Sequence, residues 1–203
     1  MTTLWLITDN KPGHRSQLQG LAQALAARTA VETHWIDAPG GLAAFRHWLT
    51  GRFPPGAALP DPDFILVAGH RTHLAGLAAR RARGGRLIAL MRPSLPLGWF
   101  DLCVIPQHDR PPARANVIAT RGVLNTARPS PEREADKGLF LIGGPSKHHG
   151  WDTPALLAQI DAILAATPAM RWTLTTSRRT PADTESALLA LRDRGVNVRP
   201  VRD

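Results

Sequence analysis

Residues 64–91, FILVAGHRTHLAGLAARRARGGRLIALM, decide the fold. An apolar run ends at Ala68-Gly69, and Leu74, Leu77 and Ala78 then recur at helical spacing. Arg80, Arg81 and Arg83 precede Gly84-Gly85, after which a second apolar run opens at Arg86. Cations suit the negative end of a helix and glycine suits the residue just past it. The stretch therefore reads as strand, helix, strand, with the arginines as helix-end electrostatics. Short apolar runs alternating with amphipathic segments are the mark of a parallel sheet.

The same alternation extends outward. LWLIT at 4–8 leads through DNKPGHRSQ into a segment whose helical face is Leu18, Leu21, Ala22 and Leu25, and further strands are expected at VETHWI from Val31, LCVI from Leu102 and NVIAT from Asn116. Residues 128–137, RPSPEREADK, are polar, proline-bearing and without apolar period, and read as a linker. Beyond it come GLFLIGG, a helix with Leu157, Ile160, Ile163 and Leu164, the strand RWTLTTS, a helix through Leu188 and Leu191, and NVRPV. Thr153-Pro154 and Thr180-Pro181 each place a capping hydroxyl before a proline at the first helical position, and Asp183 would complete a capping box. The expected architecture is α/β: a Rossmann-like domain at 1–127, the linker, and a second, apparently truncated Rossmann-like domain at 138–203.

Composition bounds the function. With 203 residues, 43% hydrophobic and 20% charged, the chain can fill a core without staples, which excludes disorder and a disulfide scaffold. The single cysteine, Cys103, lies within an apolar run and reads as a buried thiol of a reducing compartment. No apolar stretch is long enough to span a bilayer and MTTLWLITDN is no signal peptide, so a cytoplasmic protein is expected. The net charge of +9 rests almost wholly on arginine, with Lys11, Lys137 and Lys147 as the only lysines, a bias that a GC-rich genome would also produce. Basic runs interleaved with aromatics are missing, which disfavours nucleic acid; anionic small substrates or an anionic membrane surface, with a peripheral location on the inner face, explain the charge better.

Open parallel sheets bind ligands outside the carboxyl ends of their strands, where helix amides point at anions. His14 follows the first strand, His70 and His73 the third, His108 with Asp109 the fifth, and His148 with His149 the first strand after the linker, leaving only His34 and His47 elsewhere. Loop 9–17 reads as a phosphate- or sugar-binding turn with Lys11, Gly13 and His14, the last a candidate general base. It reads equally as a plain turn in which Gly13 supplies backbone freedom and Asp9 caps. It is not the GxGxxG fingerprint. Loop 142–152, IGGPSKHHGWD, offers Gly143 and Gly144 for close backbone approach, with Ser146 and Lys147 suited to pyrophosphate oxygens, but lacks the spacing of a nucleoside-triphosphatase loop. Loop 175–181, TTSRRTP, adds Thr176, Ser177, Arg178 and Arg179, as a phosphate-binding loop or as a solvated turn. His70-x-x-His73 with His108 or Asp109 is a weak metal pattern, and no G-x-S-x-G nucleophile is present. Trp151 could stack on a base or belong to the core.

Taken together, TDNKPGHRSQLQGLAQAL (8–25), FDLCVIPQHDRP (100–111), NVIATRGVLN (116–125), LIGGPSKHHGWD (141–152) and TTSRRTP (175–181) resemble, in the same order, the family named after a plant mitochondrial-fission protein. Its bacterial members are described as glycosyltransferase-like or nucleoside-diphosphate-sugar proteins. The resemblance implies a GT-B arrangement, two Rossmann-like domains facing across a cleft, with sugar nucleotide held mainly by the second and acceptor by the first. It aligns Gly143, Gly144, Ser146, Lys147, Thr176, Ser177 and Arg178 with donor-side blocks, and Lys11, Gly13, His14, His108 and Asp109 with first-domain blocks. Family members run past the position of Asp203 through further strands, so part of the donor side is expected to be missing. The implied function is metal-independent glycosyl transfer from a nucleotide-diphosphate sugar, with no other cofactor, to a glycan or lipid-linked envelope acceptor. His14 would be the base, with His108 and Asp109 as further catalytic candidates. A non-enzymatic, membrane-recruited adaptor and a nucleoside-diphosphate-sugar epimerase are the alternatives.

Overall fold

Right-handed crossovers between parallel strands determine which face of a sheet each helix covers, and they explain both sheets of this chain. The computed structural model describes residues 1–130, 132, 134–146 and 150–201. Two units form, Met1–Pro129 and Ser130–Asp203. In the first, β1 (Thr2–Thr8), α1 (Pro12–Ala26), β2 (Val31–Asp37), α2 (Gly41–Thr50), β3 (Phe64–Ala68), α3 (His70–Arg83), β4 (Arg86–Leu90), β5 (Leu102–Pro106) and β6 (Val117–Thr120) follow one another. The strand order is β2-β1-β3-β4-β5-β6, with parallel neighbours throughout. Travelling outward from β1 to β2 and then back past β1 to β3 reverses direction, so α1 and α2 take opposite faces.

The strand β1 is therefore apolar on both sides. Leu4 and Leu6 meet Leu18 and Ala22 of α1, while Trp5 and Ile7 join the layer containing Ala44 of α2 and Ala75, Ala78 and Ala79 of α3. All four β1 residues are fully buried, each contributing about 1.5–3 kcal/mol by its removal from water. Cys103 is likewise buried, and burial pushes its thiol up to about 11.

Arg83 does more than balance a helix end. Its guanidinium donates to the carbonyls of Gly56 at 2.7 Å and Leu59 at 2.8 Å and pairs with Asp61, clamping the connection into β3. Arg80 pairs with Asp101, which also accepts the Leu87 amide. After β6 the chain crosses α1, where the backbone of Asn125 lies directly on Gly20 and leaves no room for a Cβ.

The second unit contains β7 (Lys137–Leu141), α4 (Thr153–Ala166), β8 (Arg171–Thr175), α5 (Ala182–Leu189) and β9 (Asn197–Arg199) in the order β7-β8-β9. Its strands advance in one direction, so both helices cover one face. Phe140, Leu174 and Val198 meet Ile160, Leu188 and Leu191 there. On the other face Leu139 and Leu141 are 58% and 73% exposed. β7 begins one residue inside the stretch expected as linker, because Glu134 and Asp136 pair with Lys137 and Arg171 and tie that end to the sheet.

Both expected caps differ. Asp152, not Thr153, caps α4, its carboxylate accepting from the Ala155 amide at 2.9 Å. Pro181 occupies the N-cap of α5 without a side-chain bond. The hydroxyl of Thr180 is engaged elsewhere, and Asp183 accepts the neighbouring Thr184 amide in place of closing a capping box.

Candidate functional site

The reversal of travel around β1 makes the carboxyl ends of β1 and β3 a topological switch point, the place where open α/β sheets take ligands. Backbone strain gathers along this edge. Among the described residues the non-glycine positions with positive φ are Asn10 (62°), Met91 (71°) and Arg110 (50°), which follow β1, β4 and the short turn after β5. Side-chain-bearing residues enter this region at a cost, and such residues cluster at functional sites.

Asn10 supplies the turn that Gly13 was expected to supply. Its amide nitrogen donates to Asp37 at 2.9 Å and its oxygen accepts from Arg15 at 3.1 Å, which holds the left-handed conformation. Gly13 is an ordinary residue of the first turn of α1 with open space at its Cβ position. Asp9 does not cap that helix: Lys11 is the N-cap, and no side chain serves there.

Asp9 instead faces His14. The imidazole Nδ1 lies 2.8 Å from Asp9 Oδ1, with the two side chains 20% and 3% exposed respectively. The Lys11 amide reaches the same oxygen at 3.3 Å, and Lys11 Nζ stands 3.8 Å from Oδ2, which accepts no hydrogen bond among the described residues. Burial works to raise this carboxyl, but the hydrogen bonds from His14 and the Lys11 amide, with the charges of both side chains, hold it below the ordinary carboxylate value. An ionised carboxylate at Nδ1 fixes the proton on that nitrogen and leaves Nε2 as the basic atom of neutral His14. The ring rests against Gly69 at the end of β3, where φ is 91° and a Cβ would overlap the imidazole. A side chain at 69 would displace the imidazole.

The neighbouring strand ends reinforce this arrangement. Gln17, buried on α1, donates to the sulfur of Met91 at 3.2 Å. His73 is buried on α3, with Nδ1 3.2 Å from Ser94 Oγ and Phe100 against its ring edge. Desolvation first, then the nearby His70 and His14, push His73 down to about 4, so it stays neutral. No group of three His, Cys, Asp or Glu side chains that could hold a metal forms among the described residues. His108 and Asp109 sit in the turn after β5, 3.8 Å apart, below Arg92, which donates to the Asp109 carbonyl. Three strand spacings separate the ends of β5 and β1, about 14 Å, so His108 and Asp109 do not join the His14 pair.

In the second unit the loops after β7 and β8 are stitched together. Thr180 donates to the Gly143 carbonyl at 2.6 Å and accepts from the Ser177 amide at 2.9 Å. Gly144 lies against the Arg179 backbone so closely that no Cβ fits. Arg178 is exposed on the joined turn, and Ser146 follows β7. Thr176 is turned inward: its hydroxyl donates to Glu185 at 3.0 Å and accepts the Val201 amide, which ties the end of β8 to α5 and to the chain after β9. Trp151 belongs to the core, its indole N–H donating to Thr184 and Thr153. Lys147, His148 and His149 lie outside the described residues.

Sequence reasoning missed Asp9, Gly69 and Thr180 as parts of these sites. The available signals were a carboxylate five residues before His14 in a strand-to-helix turn and a glycine at the end of β3.

The family model for mitochondrial fission ELM1 matches residues 12–201. The chain belongs to the mitochondrial fission ELM1 family. The uncharacterized protein RP120 of Rickettsia prowazekii (strain Madrid E) is 29% identical over 116 residues, covering 52% of this chain and 32% of the relative. The ELM1-family chain thus spans about a third of that relative's length. Among solved structures, the S. aureus MnaA–UDP co-structure superposes with a TM-score of 0.53 at 13% identity over 99% of this chain and 69% of that one. The Neisseria meningitidis UDP-GlcNAc 2-epimerase bound to UDP-GlcNAc gives 0.54 at 12% identity over 100% and 72%. These likenesses concern the fold: two Rossmann-like parallel-sheet units, the second smaller, in the GT-B-like class.

Proposed function

We propose that this ELM1-family protein acts on a nucleoside-diphosphate sugar. The observation that carries the reading is the stitched pair of loops in the second unit. Thr180 pins Gly143 beside Ser177, bringing together backbone amides, hydroxyls and the exposed Arg178 where Gly143 and Gly144 add no bulk. That is the chemistry that holds a diphosphate. Ser146 and Lys147 belong to the same group by their place in the chain. Lys147 and Arg178 would carry the positive charge that a departing diphosphate needs, without a metal. In the first unit, His14 oriented by Asp9 is the proton-moving group, with Lys11 as its neighbouring cation. Structures of this fold solved with UDP and UDP-GlcNAc support the ligand class.

Epimerisation of the bound sugar nucleotide is the first reading, since it needs the donor alone and a protein of this fold solved with UDP-GlcNAc is a 2-epimerase. Glycosyl transfer is the second. It is favoured by the separation of His108 and Asp109 from His14 along the sheet edge, which leaves room for a glycan or lipid-linked acceptor on the first unit.

Calorimetric titration with UDP-, GDP- and CDP-sugars tests the binding. One nucleotide class is expected to bind, and Arg178→Ala and Thr180→Val to weaken it by about tenfold, near 1.4 kcal/mol. Incubating the bound donor by itself and following its proton spectrum separates the reactions, because epimerisation inverts one sugar carbon while transfer leaves the donor intact until acceptor is added. Failure of every nucleotide sugar to bind would sink the reading.

A further inference from the structure

The helix α2 carries an apolar stripe turned away from the protein. Leu42, Phe45 and Leu49 are 86%, 48% and 62% exposed. At 3.6 residues per turn these positions share one narrow arc of helix surface. The inward side is supplied by Ala44, buried, and Trp48, which packs against the core of the first unit. Leu42 and Leu49 lie outside that core, and Phe45 touches it only through the Trp48 ring, 6.1 Å away between centroids.

Between Asp37 and Asp61 the stretch of chain that carries the stripe has cations alone. Residues 38–60 contain no Asp or Glu, while Arg46, His47 and Arg52 fall within them. Arg46 and Arg52 are exposed, as is Arg81 of α3, whose guanidinium lies 5.9 Å from the Trp48 ring. An apolar ridge rimmed by cations is the arrangement of helices that lie in a membrane interface, apolar side chains at the acyl boundary and arginines at the headgroups. No helix among the described residues is long and apolar enough to cross a membrane, so such contact would be interfacial.

We infer that α2 seats this protein on an anionic lipid bilayer, with Leu42, Phe45 and Leu49 entering the headgroup boundary and Arg46, Arg52 and Arg81 meeting lipid phosphates. A folded protein partner fits less well. Three side chains on one convex ten-residue helix offer far less than the roughly 800 Å² per partner of a standard protein interface, and the exposed Arg46, Arg52 and Arg81 favour a surface of opposite charge. The inference is independent of the nucleotide-sugar reading.

Vesicle co-sedimentation of the whole chain tests it. Vesicles of phosphatidylcholine with phosphatidylglycerol are expected to bind the protein, pure phosphatidylcholine at least about tenfold more weakly, with high salt reducing the difference. The triple variant Leu42→Asp, Phe45→Asp, Leu49→Asp and the single variant Arg46→Glu should each lose about tenfold or more. Ile118→Ser, at an exposed apolar position on β6, should bind as the wild type does. Circular dichroism should show the triple variant folded at the assay temperature, and Arg46→Glu, at an exposed position, should leave Tm unchanged and carries the test on its own. Absence of binding, equal binding to neutral vesicles, or binding indifferent to the α2 substitutions overturns the inference. So does a dimer that the triple variant returns to monomer while vesicles are ignored, since the occupant would then be a second copy.

Discussion

Asp9 lies between Lys11 and His14, with Lys11 nearer one of its oxygens and His14 on the other. Asn in its place keeps the shape and removes the charge that fixes the imidazole proton. Asp9→Asn is therefore expected to lower kcat by about 10²-fold, at the lower end of what loss of general-base chemistry costs, with KM for the sugar nucleotide little changed; a rise in KM alone would argue for donor binding by Asp9. Because this carboxyl is held low in the folded state, its stabilising contribution is present above the ordinary carboxylate range and is lost as pH falls through its folded value. His73 behaves differently. The unfolded chain binds a proton near 6.5 and the folded chain only near 4, so stability is full above the first value and drains as pH falls toward the second. The loss is roughly 3 kcal/mol across that window. Urea unfolding at a series of pH values should show this slope in the wild type and lose it in His73→Gln. The sequence made His14 legible as a candidate base, because an imidazole in a strand-to-helix turn is readable from order alone. Its orienting carboxylate was not, because the pairing depends on Asn10 adopting a left-handed backbone that releases Asp9 from capping.

Strands were the legible elements. Each parallel strand buried on both faces is a short apolar run, and VETHWI and NVRPV were caught by their place in the alternation. α2 escaped for the reason that makes it interesting: Leu42, Phe45 and Leu49 face solvent, so no core-facing period marks the helix. The caps of α4 and α5 were misplaced because a hydroxyl before proline has other uses, and Thr180 joins two loops. Thr180→Val removes the hydroxyl's bonds to Gly143 and Ser177 at nearly constant volume, and about 1–2 kcal/mol of stability should go with them, measured by denaturant unfolding. Arg83 offers a second test at this scale. Arg83→Ala leaves the Gly56 and Leu59 carbonyls and Asp61 without their common donor and is expected to cost roughly 1–3 kcal/mol. If the arginine acted only on the helix end, Arg83→Lys would be neutral; loss of the forked geometry predicts that lysine recovers only part.

At the scale of the whole chain, the restart of strand-helix alternation after a polar, proline-bearing stretch was enough to separate two Rossmann-like units. The difference in how their sheets are clad was not readable, since it follows from strand order. Around β1 the reversal of travel covers both faces, whereas the steady order β7-β8-β9 places α4 and α5 on one side. Leu139 and Leu141 stand on the other side, on an edge strand whose charged pairs guard only its beginning. Edge strands with exposed apolar side chains invite association. Leu141→Lys should raise the concentration at which light scattering begins, while changing unfolding stability by no more than about 0.5 kcal/mol. Solubility in a molecule with a formal charge of +9 would then hinge in part on two leucines on one flank of the second unit, a self-adhesive strip distinct from the lipid-facing stripe of the first.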